Sequence, residues 1–210
     1  MIHLLSEWIH EWKIKDRRTT VLSHHICKLI PKESTLLDVG CGDGILAKKI
    51  ADTIKSKKSQ GIDVLVRKDC AIQVDQFDGE NIPFANNSFD YILLIDVLHH
   101  TLSPEKVFKE CVRVCSKGII LKDHINNSSI DYYTLRFMDK IGNSRFDVEL
   151  PHNYLSQSRW YGLFSENKLS NQNTITQLNL YPFPFNLLFD RKLHTVWKLK
   201  KHIELYNTTN

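Results

Sequence analysis

Residues 36–44 read Leu36-Leu37-Asp38-Val39-Gly40-Cys41-Gly42-Asp43-Gly44, four strand-forming positions that run into glycine at every second residue. The pattern predicts a strand over Leu36–Val39, a tight turn, and a helix over Ile45–Ile54. Glycine has no Cβ, so such a turn reaches positive φ and brings its backbone close to a bound molecule. The spacing is G-x-G-x-G, whereas the dinucleotide fingerprint is G-x-G-x-x-G. A glycine turn alone leaves the ligand open, and the residues around it narrow the choice.

Gln60-Gly61-Ile62-Asp63 reads as the close of a second strand. It puts the Asp63 carboxylate about twenty residues beyond the glycines, where it can accept hydrogen bonds from both hydroxyls of a ribose. That placement also suits a nicotinamide cofactor. Further on, Val74-Asp75-Gln76-Phe77-Asp78-Gly79 sets Asp78 just past a short third strand, placed to hold an amino group such as that of adenine, with Asp75 close enough to compete. Ser88 to His100 then holds an apolar run too continuous for a half-exposed strand, which reads as a buried parallel strand ending at Asp96.

These four ordered blocks, from Leu36 to His100, resemble the class I S-adenosylmethionine-dependent methyltransferases. The similarity is to the broad small-molecule group with a glycine turn, a ribose acid, a D-x-E-x-I/L-P-F block and then S-F-D before a strand. The resemblance implies a Rossmann-like, doubly wound α/β sheet of seven strands in the order 3-2-1-4-5-7-6, the last antiparallel. It implies S-adenosylmethionine as cofactor, held by Asp38, Gly40, Gly42, Asp63, Phe77, Asp78, Gly79 and Asp96. It also places the acceptor above strands four and five. In this group the N-terminal segment folds over the crevice as a lid, which gives residues 1–31, with Trp8 and Trp12, that position; the alternative is that both tryptophans fasten the helix to the core.

The chain has 210 residues, enough for one complete α/β domain and too few for a second. A net charge of +4 indicates no global field for nucleic acid, and the basic run Arg191, Lys192, Lys198, Lys200 and Lys201 reads as a solvated rim. The block after strand four, Asp96-Val97-Leu98-His99, also differs from the Asn/Asp-Pro-Pro-Tyr type used in methylating base amino groups. Five cysteines form no C-x-x-C pair and their odd number argues against a disulfide framework, so they read as reduced thiols. Without a secretory signal at the start or an apolar run of the ~18 residues needed to cross a bilayer, the expectation is a cytoplasmic protein with no membrane span.

Beyond strand four, Ser103-Pro104 opens a helix expected to run to about Cys115, with Ser116-Lys117-Gly118 closing it and Ile119–His124 as strand five. Residues 125–157 exceed what a simple connection needs and lie where an insertion covers a ligand crevice. A helix over Ser158–Lys168 and strands over Asn173–Leu180 and Thr195–His202 complete the expectation.

A sulfonium methyl is already activated, so the protein mainly aligns a nucleophile with it. His124, His99, His100 and Asp123 are the catalytic candidates: an imidazole with its pKa near ~6.5 can take a proton from a hydroxyl, and Asp123 can fix a tautomer. Tyr132, Tyr133, Arg136, Asn143 and Tyr154 are expected to line the insertion and suit an aromatic or carboxylated acceptor. A divalent-metal site of the catechol-methylating type, from Asp96, Asp123 and Asn126 or Asn127, would need a closely spaced acid pair after strand five where this chain has Asp-His, and no metal is expected. The leading reading is O- or C-methylation of a small aromatic or phenolic acceptor. The segments Lys122-Asp123-His124, Met138-Asp139 with Gly142-Asn143, and Leu150-Pro151 with Tyr154 are similar to bacterial methyltransferases of pigment and polyketide-type clusters, which implies that the acceptor can be carried on a protein. The alternative is a non-catalytic cofactor-binding partner of another methyltransferase.

Overall fold

A computed structural model describes the backbone of residues 2–143 and 151–202, with side chains from 15–140 and 151–202. Helix α1 (Ile2–Cys27) precedes β1 (Leu36–Val39), α2 (Ile45–Ile54), β2 (Ser59–Asp63), β3 (Val74–Gln76) and β4 (Phe89–Ile95). A 3₁₀ turn over Leu98–His100 leads to α3 (Pro104–Val114), β5 (Cys115–His124), α4 (Ser129–Asn143), α5 (Gln157–Glu166), β6 (Leu169–Ile175), α6 (Asn186–Phe189) and β7 (His194–Lys201). The seven strands form one sheet in the order β3-β2-β1-β4-β5-β7-β6. β1 to β5 pair in parallel, and β7 is antiparallel to both β5 and β6.

Side-chain parity along the central strands builds a core on each face. Leu37, Val39, Ile92, Leu94, Ile119, Leu121 and Trp197 point to one side, where α3 supplies Val107 and Phe108 and α5 supplies Trp160 and Phe164. Leu36, Tyr91, Leu93, Ile120 and Val196 point to the other, where α1 contributes Leu22 and Ile26 and α2 contributes Ile50 and Ile54. Both faces of β1 and β4 are therefore dry, which explains their uninterrupted apolar runs. All five cysteines are free thiols, with Cys111 and Cys115 buried in the core. No helix among the described residues is long and apolar enough to cross a membrane.

The N-terminal segment forms a single helix, and residues 1–14, with Trp8 and Trp12, lie outside the described side chains. Two boundaries differ from expectation for physical reasons. Helix α3 passes directly into β5, so Ser116-Lys117-Gly118 is strand and not a closing turn. Lys201 Nζ satisfies the last carbonyls of that helix, donating to Val112 at 2.7 Å and Cys115 at 2.9 Å. Gly118 is required there because β7 crosses it: a Cβ would stand 2.1 Å from the Leu199 carbonyl oxygen. β6 lies earlier than predicted, over the polar run Leu169–Ile175, because an edge strand leaves its outer side chains in solvent. The apolar Leu178 and Leu180 that suggested a strand are instead buried against the α1 and α2 side of the sheet from a loop.

Candidate active site

The glycine turn adopts the left-handed conformation at Gly40, Gly42 and Gly44, with φ of 71°, 58° and 70°. A Cβ on Gly40 would meet Val97 Cγ2 at 2.6 Å, so the turn is pressed against the end of β4. Its N–H groups are already spent: Gly40 donates to the Ile62 carbonyl at 2.8 Å, Cys41 to the same oxygen at 3.2 Å, and Gly42 to Asp63 Oδ2 at 2.8 Å. The loop therefore offers a ligand close approach and few donors, which is unlike a pyrophosphate cradle. What it does offer is negative charge. Asp38 is buried beneath it, and burial, reinforced by the nearby Asp63 and Asp43 carboxylates, pushes its pKa up to about 8. Such an acid releases its proton when a cation arrives.

The acid expected at the adenine is engaged elsewhere. Asp78 accepts from the Asn81 side chain at 2.6 Å and from the Glu80 and Asn81 backbone N–H groups at 2.8 and 2.6 Å, which holds it ionised with a pKa of about 2. Asp63 is engaged in the same way, accepting the Gly42 N–H at 2.8 Å and the Leu65 N–H at 3.0 Å, and each carboxylate keeps further acceptor sites. Gly79, at φ 83°, makes the turn at Asp78, and Phe77 packs half-buried against the core beside it. Asp75, the competing acid, accepts from the Gln60 side chain at 2.5 Å.

Where β4 and β5 end, a second group of polar side chains meets. Asp96 follows β4 in the left-handed conformation (φ 57°) and forms ion pairs with Lys122 and, at 2.5 Å, with Arg18 from α1. Burial would raise its pKa, but the two cations overrule it and hold the carboxyl well below its ordinary range. Lys122 is fully buried and also contacts His194 Nδ1 at 3.1 Å. An ammonium donates, so that contact makes Nδ1 the acceptor and places the His194 proton on Nε2.

His99 and His124 stand ring to ring, 4.5 Å between centroids, with opposite tendencies. Burial opposes charge on His99, but Asp123, whose Oδ1 lies 2.6 Å from its Nδ1, and then Asp139, 3.7 Å from its Nε2, raise its pKa. His124 is lowered by burial and by the charges of Lys122 and His99. Asp123 also accepts the His124 backbone N–H at 2.7 Å, and despite burial its pKa is held below the carboxylate range by His99. Tyr154 donates its hydroxyl to Asp139, which fixes that acid against His99. Both rings are buried, the His99 side chain 1% exposed and that of His124 6%. His100 lies with its ring 4.0 Å from that of His99; burial and then His99 push its pKa down to about 4, and its Nδ1 is buried without a partner.

Asp96, His99, Asp123 and His124 could together offer a metal ion ligand atoms within 4.8 Å of one another. The charge on Asp96 is already balanced by Lys122 and Arg18, and that on Asp123 by His99, so the cluster closes electrostatically through its own side chains. Asn126 and Asn127 are engaged in the return of the chain: Asn126 N–H donates to the Leu155 carbonyl, and Asn127 Oδ1 accepts from Gln157 N–H.

Comparison with known proteins agrees with this geometry. A family described as "Methyltransferase domain" matches residues 37–121, from β1 into β5. The ubiquinone biosynthesis O-methyltransferase of Saccharomyces cerevisiae is 30% identical over 119 residues, covering 50% of this chain and 38% of that protein. Ajmaline N-methyltransferase of Rauvolfia serpentina is 29% identical over 133 residues, covering 54% and 46%. The chain thus spans less than half the length of either relative. An S-adenosylmethionine-dependent methyltransferase of Mesorhizobium loti shares the fold with a TM-score of 0.61 at 14% identity, over 83% of this chain and 94% of that one. Residues 37–121 thus carry a methyltransferase domain, and the fold is the one seen in S-adenosylmethionine-dependent methyltransferases. S-adenosylmethionine suits the glycine crevice: the ligand carries a sulfonium and an ammonium, and the residues beneath it are carboxylates.

Among the expected acceptor-lining residues, helical periodicity separates neighbours. Tyr132 packs inward with Tyr154 around Leu135, whereas Tyr133 and Arg136 face solvent on the outer side of α4. Asn143 ends α4 with its side chain outside the described residues. Four members of the cluster were not among the sequence candidates: Arg18, Lys122, Asp139 and His194. A lysine inside the apolar run of β5 was a readable signal, since only a buried counter-charge tolerates it. His194 faces His124 across the β5–β7 ladder, a pairing that only topology reveals.

Proposed function

We propose that this chain transfers the methyl group of S-adenosylmethionine to a small aromatic or phenolic acceptor, on oxygen or on an electron-rich carbon. The observation that carries the reading is the pair of adjacent histidines driven in opposite directions, one toward the imidazolium and one toward the neutral base. The cofactor supplies an activated methyl and a good leaving group. Asp38 is placed to hold its ammonium end and Asp63 its ribose, while Gly40 and Gly42 let both approach the backbone.

His124, kept neutral, takes the proton from the acceptor hydroxyl as it is methylated. His99, kept protonated by Asp123 and Asp139, lies behind His124 and contributes its positive charge to a field that favours the ionised acceptor oxygen. Tyr154 positions Asp139, and Tyr132 contributes an aromatic wall. The acceptor can be free or carried on a protein, and the O-methyltransferase among the relatives supports an acceptor oxygen as the first class to test.

The test is methyl transfer from labelled S-adenosylmethionine to a panel of phenolic acids, with wild type and His124→Asn. His124→Asn should lower kcat by about 10²–10⁴-fold while cofactor affinity is unchanged. The wild-type rate should fall on acidification as His124 gains a proton, at a pH below the usual histidine value of ~6.5. It should fall again on the alkaline side, above that value, as His99 loses its proton. Tight cofactor binding with no turnover on any acceptor until a second protein is added would replace this reading with that of a non-catalytic partner.

A further inference from the structure

Helix α4 has two unlike faces. Its inner face carries Leu135 and Asp139, the latter reaching His99 and Tyr154, so this helix adjoins the reactive cluster. Its outer face carries Ile130, Tyr133 and Phe137 at helical spacing, 67%, 67% and 54% exposed. Beside it, the segment around α6 exposes Phe183, Leu187 and Leu188, with Phe183 78% exposed. Arg191 ties the two together: its guanidinium donates to Thr134 Oγ1 of α4 at 3.2 Å and to the Leu188 carbonyl at 2.9 Å. Six protruding apolar side chains on adjoining elements exceed the scattered exposure of an ordinary surface.

Among the described residues of α4 and of the segment around α6, the exposed charges have one sign. Arg136, Lys140, Arg191 and Lys192 are exposed on this ridge. The acids of the same segments are turned to internal work. Asp131 accepts the Asn127 N–H at the start of α4, Asp139 faces the cluster, and Asp190 accepts the backbone N–H groups of Leu180 and Tyr181, both at 3.1 Å. A two-fold contact with a second copy would set these basic rims against each other. A ridge rather than a groove, apolar at its crest and cationic at its flanks, is the surface that enters the headgroup region of an anionic bilayer.

We propose that the α4–α6 ridge docks this protein on the surface of a membrane rich in anionic phospholipid, placing the reactive cluster beside the bilayer interface. The proposal is independent of the role assigned to His124. It extends the acceptor class to amphiphiles whose polar ring lies at the headgroups while an apolar tail remains in the membrane.

The experiment is co-sedimentation of the full chain with vesicles of phosphatidylcholine alone or mixed with phosphatidylglycerol. Wild type should bind the mixed vesicles at least tenfold more strongly than the neutral ones. The triple substitution Phe183→Ser, Leu187→Ser, Leu188→Ser should weaken that binding at least tenfold. Arg191→Gln with Lys192→Gln should cost about fivefold for each cation and remove most of the preference for charged lipid. S-adenosylhomocysteine binding by each variant checks that it is folded. Leu187→Trp provides a second readout: its fluorescence should shift to the blue on mixed vesicles and be quenched by brominated lipid. Failure of wild type to bind mixed vesicles, equal binding by the triple variant, or a wild-type dimer that the triple substitution dissolves would each overturn the proposal.

Discussion

Lys122 and Asp96 show how far a single pair of residues organises this site. Lys122 has no exposed side-chain surface, and its ammonium is balanced by Asp96, which Arg18 also engages. Removing Asp96 leaves Lys122 buried and uncompensated, a cost of roughly 3–5 kcal/mol in comparable pairs, whereas Asp96 without Lys122 keeps Arg18 as its partner. Asp96→Asn should therefore destabilise the protein by an amount of that order. Lys122→Met should cost less, and the double variant should recover a large part of the loss caused by Asp96→Asn. Chemical denaturation of the four proteins in a double-mutant cycle measures this; additive losses would mean that the pair does not act as a unit. A lysine in an apolar strand announces that a buried acid exists but not which one. Asp96, Asp123 and Asp139 all lie within the same stretch of chain, and only the bend after β4 selects the first.

At the scale of elements, the sheet was legible where a strand carries its own reason in its composition. β1 and β4 are dry on both faces, so their apolar runs could be read directly, and the helix after the glycine turn followed from them. β6 could not be read this way. Its residues are polar because it sits on the sheet edge, which is a property of the fold and not of the segment. Helix α1 combines both situations. Its C-terminal half is anchored by Leu22 and Ile26 in the core, while Lys15 and Arg18 reach over the crevice to Asp43 at 2.6 Å and Asp96 at 2.5 Å. Exposed or half-exposed ion pairs of this kind contribute about 0–1 kcal/mol, enough to bias a cover and too little to hold the fold. Arg18→Met should then speed S-adenosylhomocysteine release several-fold with little change in Tm, and raised salt should do the same to wild type. Stopped-flow dissociation beside a thermal melt separates the outcomes: a lowered Tm with unchanged release would make Arg18 a packing residue.

The whole molecule concentrates its unfavourable electrostatics where the cofactor binds. Asp38 is central to the sheet, on β1 between β2 and β4, and it lies buried near two other acids. Its pKa is raised in the folded chain, from an unfolded value of 3.8 to about 8. The folded protein thus holds a proton that the unfolded chain has released, and stability from this group, complete below the unfolded value, is lost as the pH rises toward and through 8. A cation in the crevice supplies the missing counter-charge, so ligand binding and folding draw on the same carboxylate. At a hundredfold excess over its dissociation constant, a ligand confined to the folded state adds about 2.7 kcal/mol, and for a chain of this size that is a rise in Tm of roughly 5–10 °C. The pH dependence is the sharper expectation. S-adenosylmethionine at fixed concentration should raise Tm more at pH 8.5 than at pH 6, because the lower value lies about two units below the pKa of Asp38, which must then be stripped of its proton, and the higher value lies above that pKa. Asp38→Asn should make the ligand-free protein more stable at alkaline pH and abolish the growth of the ligand-induced shift. Scanning calorimetry of both proteins across this range decides it: a shift that is equally large at both pH values would place the ligand's positive charge away from Asp38, and with it the reading of the glycine crevice as a cradle for a cation.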